Sequence, residues 1–170
     1  LAAAAVGLLL GETPELIAQG LVSYQASGMR QNIYEQDGYQ IYADCYNASP
    51  DAMEATLSVL GGMAGDGRRF AVLGSMLELG DYAEEGHRRA GRAAAQYADA
   101  LYAYGPDAAA MVAGAREKGM EHAYAFDDQT ALVAALREDA KKGDALLFKG
   151  SRGMRMERAL AMFLGEEVEA

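Results

Sequence analysis

The chain has few of the residues that build disulfides, metal sites and interfaces with nucleic acid. Its 170 residues include one cysteine, two histidines and no tryptophan, and 25 acidic residues stand against 15 basic ones. The single cysteine, Cys45, excludes an internal disulfide, so we expect a reducing, cytoplasmic compartment. The net charge of −10 argues against binding to a nucleic-acid backbone, which requires clustered lysine and arginine.

Long apolar runs and glycine-rich nucleotide loops are also missing from the sequence. The apolar run at residues 1–10 stops at Gly11-Glu12, which is too short to span a bilayer, and it has no basic residues before it. We therefore expect no membrane insertion, and we interpret the run as the second half of a helix that begins upstream in a longer protein. Neither a P-loop nor a Gly-x-Gly-x-x-Gly motif is present, which counts against a dinucleotide site.

The remaining sequence alternates between strand and helix patterns. Strands are predicted at 32–36, 39–44, 69–74, 99–104, 122–126 and 145–149, and helices at about 51–64, 81–98, 106–119, 128–142 and 154–164. Asp37-Gly38 predicts a two-residue hairpin, and hence an antiparallel first pair. The fold class is therefore α/β: a Rossmann-like, mostly parallel sheet with one antiparallel hairpin strand and helices on both faces.

Two short helices and a linker are predicted ahead of this domain. Thr13-Pro14 is typical of a helix start, and residues 1–23 offer too little surface to fold alone. Residues 24–31 show no hydrophobic period, which indicates a linker.

The stretch 39–57 reads as strand, short loop and helix, with Ser49 as the expected helix cap. Asp44 and Asn47 would lie at the carboxyl edge of the sheet, where open α/β sheets bind ligands. A carboxylate there can accept from sugar hydroxyls, and an amide can donate and accept. The alternative is that both residues only form the turn.

A second candidate loop connects the last strand to the last helix. Lys149, Gly150, Ser151 and Arg152 form the one concentrated cationic spot in an acidic chain. Glycine lets backbone N–H groups turn towards a ligand, so the loop could hold a peptide carboxylate or a phosphate. A tight turn with solvated charges is the alternative.

The loop 74–80 and the helix after it offer weaker candidates. Asp81 and Glu84 predict a capping-box-like helix start, and His87 follows as an exposed helical histidine, more often structural or solvated than functional. We expect no metal site, since the other histidine, His122, lies at no ligand spacing from it.

Several of these segments resemble the C-terminal domain of the Mur ligase family. The resemblance is carried by Gly28-Met29-Arg30, by Asp44-Cys45-Tyr46-Asn47-Ala48-Ser49-Pro50, by the loop 74–80, by His87, and by Lys149-Gly150-Ser151-Arg152 with Met156-Glu157. Ser75 stands where the family usually has Asp, so one carboxylate is absent here. Within the family, the segments are most similar to the branch that adds D-alanyl-D-alanine.

The resemblance implies an ATP-dependent amide ligase that joins D-Ala-D-Ala to UDP-N-acetylmuramoyl-tripeptide during peptidoglycan precursor synthesis. Residues 1–27 would end a truncated central ATP-binding domain, 28–31 would be the linker, and 32–170 the C-terminal domain. The phosphate loop and most Mg²⁺ ligands would lie in the missing domains, which would be the partners of this chain. The fragment itself would carry no catalytic residue and would be inactive alone.

The resemblance also implies residue roles. Arg30, Asp44 and Asn47 would face the nucleotide, and Lys149, Gly150, Ser151 and Arg152 would face D-Ala-D-Ala; Tyr46, Glu78 and His87 are further possible site residues. Two other interpretations remain open. One is another amide ligase of the superfamily, such as a tripeptide-forming Mur ligase or a folylpolyglutamate synthase, and the other is a non-catalytic α/β binding module.

Overall fold

Seven α-helices and six strands occupy the part of the chain that the computed structural model describes, residues 2–23, 30–63 and 65–166. The helices are α1 (Ala2–Leu9), α2 (Pro14–Val22), α3 (Pro50–Gly61), α4 (Ala83–Tyr97), α5 (Ala108–Glu117), α6 (Gln129–Asp139) and α7 (Met156–Leu164). The strands are β1 (Asn32–Gln36), β2 (Tyr39–Asp44), β3 (Arg69–Gly74), β4 (Ala100–Tyr104), β5 (Ala123–Phe126) and β6 (Ala145–Lys149).

The six strands form one sheet in the order β1-β2-β6-β3-β4-β5. Only β1 and β2 pair antiparallel; the other four pairings are parallel. Asp37 and Gly38 join the antiparallel pair with φ values of 53° and 87°, the left-handed geometry that a two-residue hairpin requires. The structure therefore confirms the predicted α/β fold class, including its single antiparallel strand.

Helices cover both faces of the sheet, because side chains alternate between faces along each strand. In β3, Ala71 and Leu73 belong to the core that contains residues of α3, α4 and α5. Phe70 and Val72 belong to the opposite core, which contains residues of α6 and α7. Each face thus has its own apolar core, which explains why the central strands are apolar at every position.

Three helices begin with a side-chain cap, and two of these caps lie at the helix starts predicted at Thr13 and Ser49. The side chains of Thr13 and Ser49 each accept from the backbone N–H three residues on, at 3.3 Å, and Asp128 does the same at 2.8 Å. These contacts satisfy N–H groups that have no partner within the helix.

The capping box predicted at Asp81 and Glu84 is wrong. A 3₁₀ turn, Gly80–Tyr82, precedes α4, and no side chain caps the helix. The Glu84 carboxylate instead accepts from Arg88, one helical turn further on, at 3.2 Å. An arginine at this i+4 spacing draws the glutamate away from the backbone.

Helices α4 and α5 approach each other closely at two glycines. A Cβ atom placed on Gly91 would lie 1.8 Å from the Met111 carbonyl oxygen, and one on Gly114 would lie 2.0 Å from the Arg88 carbonyl oxygen. Glycine is therefore required at both positions, since any side chain would separate the helices.

The first two helices bury none of their residues. Large apolar side chains of this pair are exposed, among them Val6, Leu9, Leu16 and Val22. The proposed boundary at residue 27 and Gly28-Met29 of the linker lie outside the described residues, so that division stays a prediction. None of the helices in the described ranges has the length and apolar character to cross a bilayer.

Candidate functional site

The carboxyl ends of β2, β6, β3 and β4 lie side by side along one edge of the sheet. Asp44 pairs with Lys149 in the register of β2 and β6, Leu73 pairs with Lys149 in that of β3 and β6, and Gly74 pairs with Tyr104 in that of β3 and β4. The loops after these strands are therefore neighbours. This placement brings together the three loops that the sequence analysis selected, in the position where open α/β sheets bind ligands.

Asp44 and Lys149 form a buried ion pair between two of these loops. The Lys149 ammonium donates to Asp44 Oδ2 at 2.5 Å and to the Asn47 carbonyl oxygen at 2.9 Å. The other carboxylate oxygen of Asp44 accepts from the Gln31 backbone N–H at 3.2 Å. Lys149 is only 2% exposed, so the two oxygens to which it donates take the place of the water that would surround its ammonium at the surface. The arrangement ties a nucleotide-side candidate to a dipeptide-side candidate.

Arg30 and Tyr46 make a stacked pair on the outer side of the same cluster. The guanidinium carbon of Arg30 lies 3.9 Å from the centre of the Tyr46 ring, and both residues are exposed. Such a cation–π contact holds a flexible arginine over a flat aromatic surface. Arg30, Tyr46 and Asp44 are thus close together, as the predicted nucleotide side requires.

Asn47 is exposed at the end of the loop that begins at Asp44. Its side-chain oxygen accepts from the Ala48 backbone N–H at 2.8 Å, and its carbonyl oxygen accepts from Lys149. These contacts make Asn47 a turn former, the alternative interpretation of its sequence context. The same contacts are compatible with donation from its amide to a ligand, so the nucleotide-facing role stays a prediction.

Ser151 connects the cationic loop to the loop after β3. Its backbone N–H donates to the Ser75 carbonyl oxygen at 3.2 Å, and its hydroxyl accepts from the Leu77 N–H at 2.9 Å. Ser75 is fully buried, and its hydroxyl accepts from the Asp107 N–H at 3.0 Å. The two serines therefore fasten the loops after β6, β3 and β4 to one another.

Gly150 allows the ends of β6 and β3 to approach. A Cβ atom at this position would lie 2.7 Å from Met156 Cγ and 3.1 Å from Gly74 Cα. A side chain at this position would therefore press on Met156 and on the backbone of β3, independent of any ligand.

Arg152 is the one predicted dipeptide-side group whose charge lies at the surface. Its side chain is 56% exposed, and Nη1 donates to Glu157 Oε1 at 2.9 Å. Gln129 holds the turn that follows by donating to the carbonyl oxygens of Met154 and Arg155, at 2.8 and 3.2 Å. Guanidinium groups are suited to bind carboxylates through pairs of N–H donors.

His87 is fully buried, so the expectation of an exposed histidine is wrong. Its Nε2 accepts from the Met76 N–H at 2.8 Å, which places the ring proton on Nδ1, 2.6 Å from the Ala83 carbonyl oxygen. Asp107 Oδ2 lies 3.7 Å from Nε2. The buried ring therefore supports the loop after β3 by accepting a hydrogen bond from its backbone. Glu78, on that loop, is exposed with a φ of 68°.

Cys45 is buried, as expected for a small apolar filler. Burial, together with the nearby carboxylates of Glu157 and Asp44, raises the pKa of its thiol to about 12. The thiol is therefore protonated at neutral pH and is not a nucleophile.

Among the described residues, no group of three or more His, Cys, Asp or Glu side chains could hold a metal ion. At the nucleotide side, both carboxylate oxygens of Asp44 accept hydrogen bonds from protein groups.

Three residues at the site were missed by the sequence analysis: Gln31, Asp107 and Glu157. Glu157 had a signal, because Met156-Glu157 belongs to the segment that carries the family resemblance. Gln31 and Asp107 had none, since each reaches the site through a backbone N–H that only the tertiary structure places there.

The chain is similar to known proteins over most of its length. The family model described as Mur ligase, glutamate ligase domain, matches residues 29–152. The relative in Bacillus subtilis, a UDP-N-acetylmuramoyl-tripeptide--D-alanyl-D-alanine ligase, is 37% identical over 92% of this chain and 35% of its own length. A ligase with the same name in Synechocystis is 34% identical over 98% of this chain and 36% of its own length.

A solved structure gives the same result. The crystal structure of MurF ligase from Thermotoga maritima in complex with ADP superposes with a TM-score of 0.80, at 33% identity over 95% of this chain and 36% of that one. This chain spans about a third of the length of the proteins it matches. With a family model matched over most of its length and relatives above 30% identity across nearly all of it, the chain belongs to the Mur ligase family.

Proposed function

We propose that this chain supplies the C-terminal domain of a longer, ATP-dependent ligase that joins D-Ala-D-Ala to UDP-N-acetylmuramoyl-tripeptide. The observation that carries the proposal is the identity above 30% with ligases of that name, which extends over the loops at the sheet edge. Arg152, exposed at that edge, supports a site for an acceptor carboxylate. The missing parts of the ligase are the partners of this chain. The compartment that we propose is the cytoplasm.

In the proposed reaction, the γ-phosphoryl group of ATP is transferred to the terminal carboxylate of the tripeptide, and ADP is released. The amine of D-Ala-D-Ala, after losing a proton, attacks the carbonyl carbon of this acyl phosphate. The tetrahedral intermediate collapses to the amide and expels phosphate. Such chemistry requires three reactants to be aligned and water to be excluded, and a domain that closes over them supplies both.

The two sides of the sheet edge are proposed to serve different reactants. Arg30, with its guanidinium stacked on Tyr46, and the loop from Asp44 to Asn47 would face the nucleotide. The loop of Gly150, Ser151 and Arg152 would face the dipeptide, with Arg152 as the direct contact. The buried His87 and the turn at Glu78 would support the loop after β3.

Mg²⁺ would neutralise the phosphate charge during transfer. We propose that most of its ligands lie outside this chain, because the Asp44 carboxylate at the nucleotide side is already engaged by Lys149 and by the Gln31 N–H.

The test is phosphate release by the full-length ligase with ATP and UDP-N-acetylmuramoyl-tripeptide, with and without D-Ala-D-Ala. We expect release to depend on the dipeptide and to yield the extended peptide. Use of a single amino acid on a shorter precursor would instead identify a tripeptide-forming Mur ligase, and glutamate addition to a folate would identify a folylpolyglutamate synthase. If the full-length protein turned over none of these substrates, the result would favour a non-catalytic α/β binding module.

The chain by itself should neither hydrolyse ATP nor bind it tightly. Arg30, Asp44 and Asn47 offer a few polar contacts, whereas most of the binding energy for a triphosphate comes from a phosphate loop and Mg²⁺. Calorimetry on the 170-residue chain should therefore show no affinity in the micromolar range. Micromolar binding would contradict the proposal that the missing domains provide most of the binding energy for ATP.

A further inference from the structure

We propose that Lys149, the first residue of the dipeptide-side loop, is a positioning residue for the nucleotide-side loop. In this role Lys149 does not touch the dipeptide. The inference rests on the proposed function for the identity of the two sides. It replaces the direct contact between Lys149 and D-Ala-D-Ala that the sequence predicts.

The ammonium of Lys149 faces the interior of the site. The residue is 2% exposed, and its Nζ donates to Asp44 Oδ2 and to the Asn47 carbonyl oxygen at 2.5 and 2.9 Å. A dipeptide carboxylate could reach Nζ only by displacing these two oxygens. Arg152, three residues further along, is 56% exposed, and its guanidinium donates to the partly exposed Glu157 at 2.9 Å. The two cations of this loop therefore have different tasks.

Lys149 contacts both ends of the loop that residues 44 to 47 form, the 44–47 loop. Its first contact is the side chain of Asp44, where the loop begins, and its second is the carbonyl oxygen of Asn47, where the loop ends. Tyr46 lies between these two points and carries the stacked guanidinium of Arg30. One ammonium group therefore holds both ends of the loop that carries the Tyr46 ring.

The Asp44–Lys149 pair also holds the segment that precedes β1. While Lys149 binds Oδ2, the other oxygen of Asp44 accepts from the Gln31 N–H at 3.2 Å. Gln31 directly follows Arg30, so Arg30 is held through its neighbour's backbone and through its stack on Tyr46. Lys149 therefore positions every predicted nucleotide-side residue, although it lies on the dipeptide-side loop.

This arrangement predicts that a change in the dipeptide-side loop alters the use of ATP. Lys149→Met keeps the length of the side chain and removes its charge. In the full-length ligase we expect the KM for ATP to rise at least about fivefold, the lower end of typical coupling between sites, with the KM for D-Ala-D-Ala changed by less than about twofold. Lys142→Met, the same substitution at an exposed lysine before β6, should leave both values unchanged.

Hydrogen exchange of the 170-residue chain gives a second test of the role of Lys149, and this test requires no ligase activity. Loss of the Lys149 charge frees the Asp44 carboxylate to move, so the Gln31 amide should exchange its hydrogen faster in Lys149→Met than in the unmodified chain. Arg152→Ala, which leaves the buried pair intact, should not change this exchange rate. If the full-length ligase shows no activity even without substitutions, the proposed function fails, and the Gln31 amide still decides the role of Lys149.

Lys149→Met leaves a buried carboxylate without its partner, which could prevent folding. The double variant Asp44→Asn with Lys149→Met removes both charges, a change that buried ion pairs often tolerate. Because both residues act as one unit, we expect its KM for ATP to rise no more than that of either single variant. Three results would each overturn the proposal. The first is a rise confined to the KM for D-Ala-D-Ala, and the second is a double variant in which the effects of the two single substitutions on the KM for ATP add. The third is an unchanged exchange rate of the Gln31 amide.

Discussion

Arg152 offers the sharpest test of the proposed acceptor site. In the structure its guanidinium donates to Glu157 from a side chain that is 56% exposed, at the carboxyl edge of the sheet. Arg152→Ala in the full-length ligase removes the exposed cation that we propose binds the carboxylate of D-Ala-D-Ala. The backbone of the loop keeps its own hydrogen bonds, which involve Ser151 and Ser75.

The size of the effect follows from the loss of one charge-assisted hydrogen bond. Such a loss costs roughly 1.5–3 kcal/mol, and about 1.4 kcal/mol corresponds to a tenfold change. The value of kcat/KM for the dipeptide should therefore fall about tenfold to hundredfold. Because more than half of the Arg152 side chain is exposed to screening solvent, we expect a value in the lower half of this range.

The substitution also affects Glu157, whose Oε2 is buried and has no hydrogen-bond partner among the described residues. Removing the Arg152 side chain also removes its hydrogen bond to Oε1. Since the pair is partly exposed, we expect the free energy of unfolding to fall by no more than about 1 kcal/mol. Thermal unfolding of the variant would show whether a loss of activity reflects a loss of fold.

The assay is steady-state phosphate release with the ATP and dipeptide concentrations varied separately. Arg158→Ala serves as the matched control, because this arginine is exposed on α7, the helix that follows the Arg152 turn. Arg152→Lys should lie between the two, since it keeps the charge and loses the planar pair of donors. If Arg152→Ala changed only the dependence on ATP and left that on the dipeptide intact, the acceptor assignment would be wrong, and a phosphate-binding role would replace it.

Three further results are expected. Asp44→Ala should raise the apparent KM for ATP more than that for the dipeptide; the reverse pattern in steady-state kinetics would refute a nucleotide-facing role. Gly114→Ala should lower the melting temperature, because its Cβ would lie 2.0 Å from the Arg88 carbonyl oxygen, whereas Gly20→Ala, with open space around it, should not lower it. Amides of residues 2–22 should exchange faster than those of the sheet, and even protection would contradict a loosely held appendage.

Much of the fold could be predicted from the sequence because its signals are local. Asp37-Gly38 has one favourable conformation between two strands, and Ser49-Pro50 starts a helix in almost any context. The alternation of apolar strands with amphipathic helices then leaves a parallel sheet as the way to bury both faces. The capping box at Asp81 and Glu84 failed because Arg88 competes for the Glu84 carboxylate. Local patterns do not reveal such competition.

The candidate site was only partly predictable. The ends of β2 and β6 could be named because polar residues follow apolar runs, and the structure places Asp44 and Lys149 at those ends. Their partners could not be named, since a lysine at a strand end is expected to be solvated. His87 shows the same difficulty, because a helix pattern does not say that a ring nitrogen will accept from the Met76 N–H across the loop.

The amino-acid sequence was enough to predict the strands, the polar residues at their ends, and the family that the loops resemble. The tertiary structure alone decided that β6 lies between β2 and β3, which brings Lys149 into contact with Asp44 across 105 residues of sequence. The physical reason is that strand order follows from how the helices pack on both faces, a property of the whole chain. Once the pair is buried, its charges must satisfy each other, and this requirement makes the two loops one site.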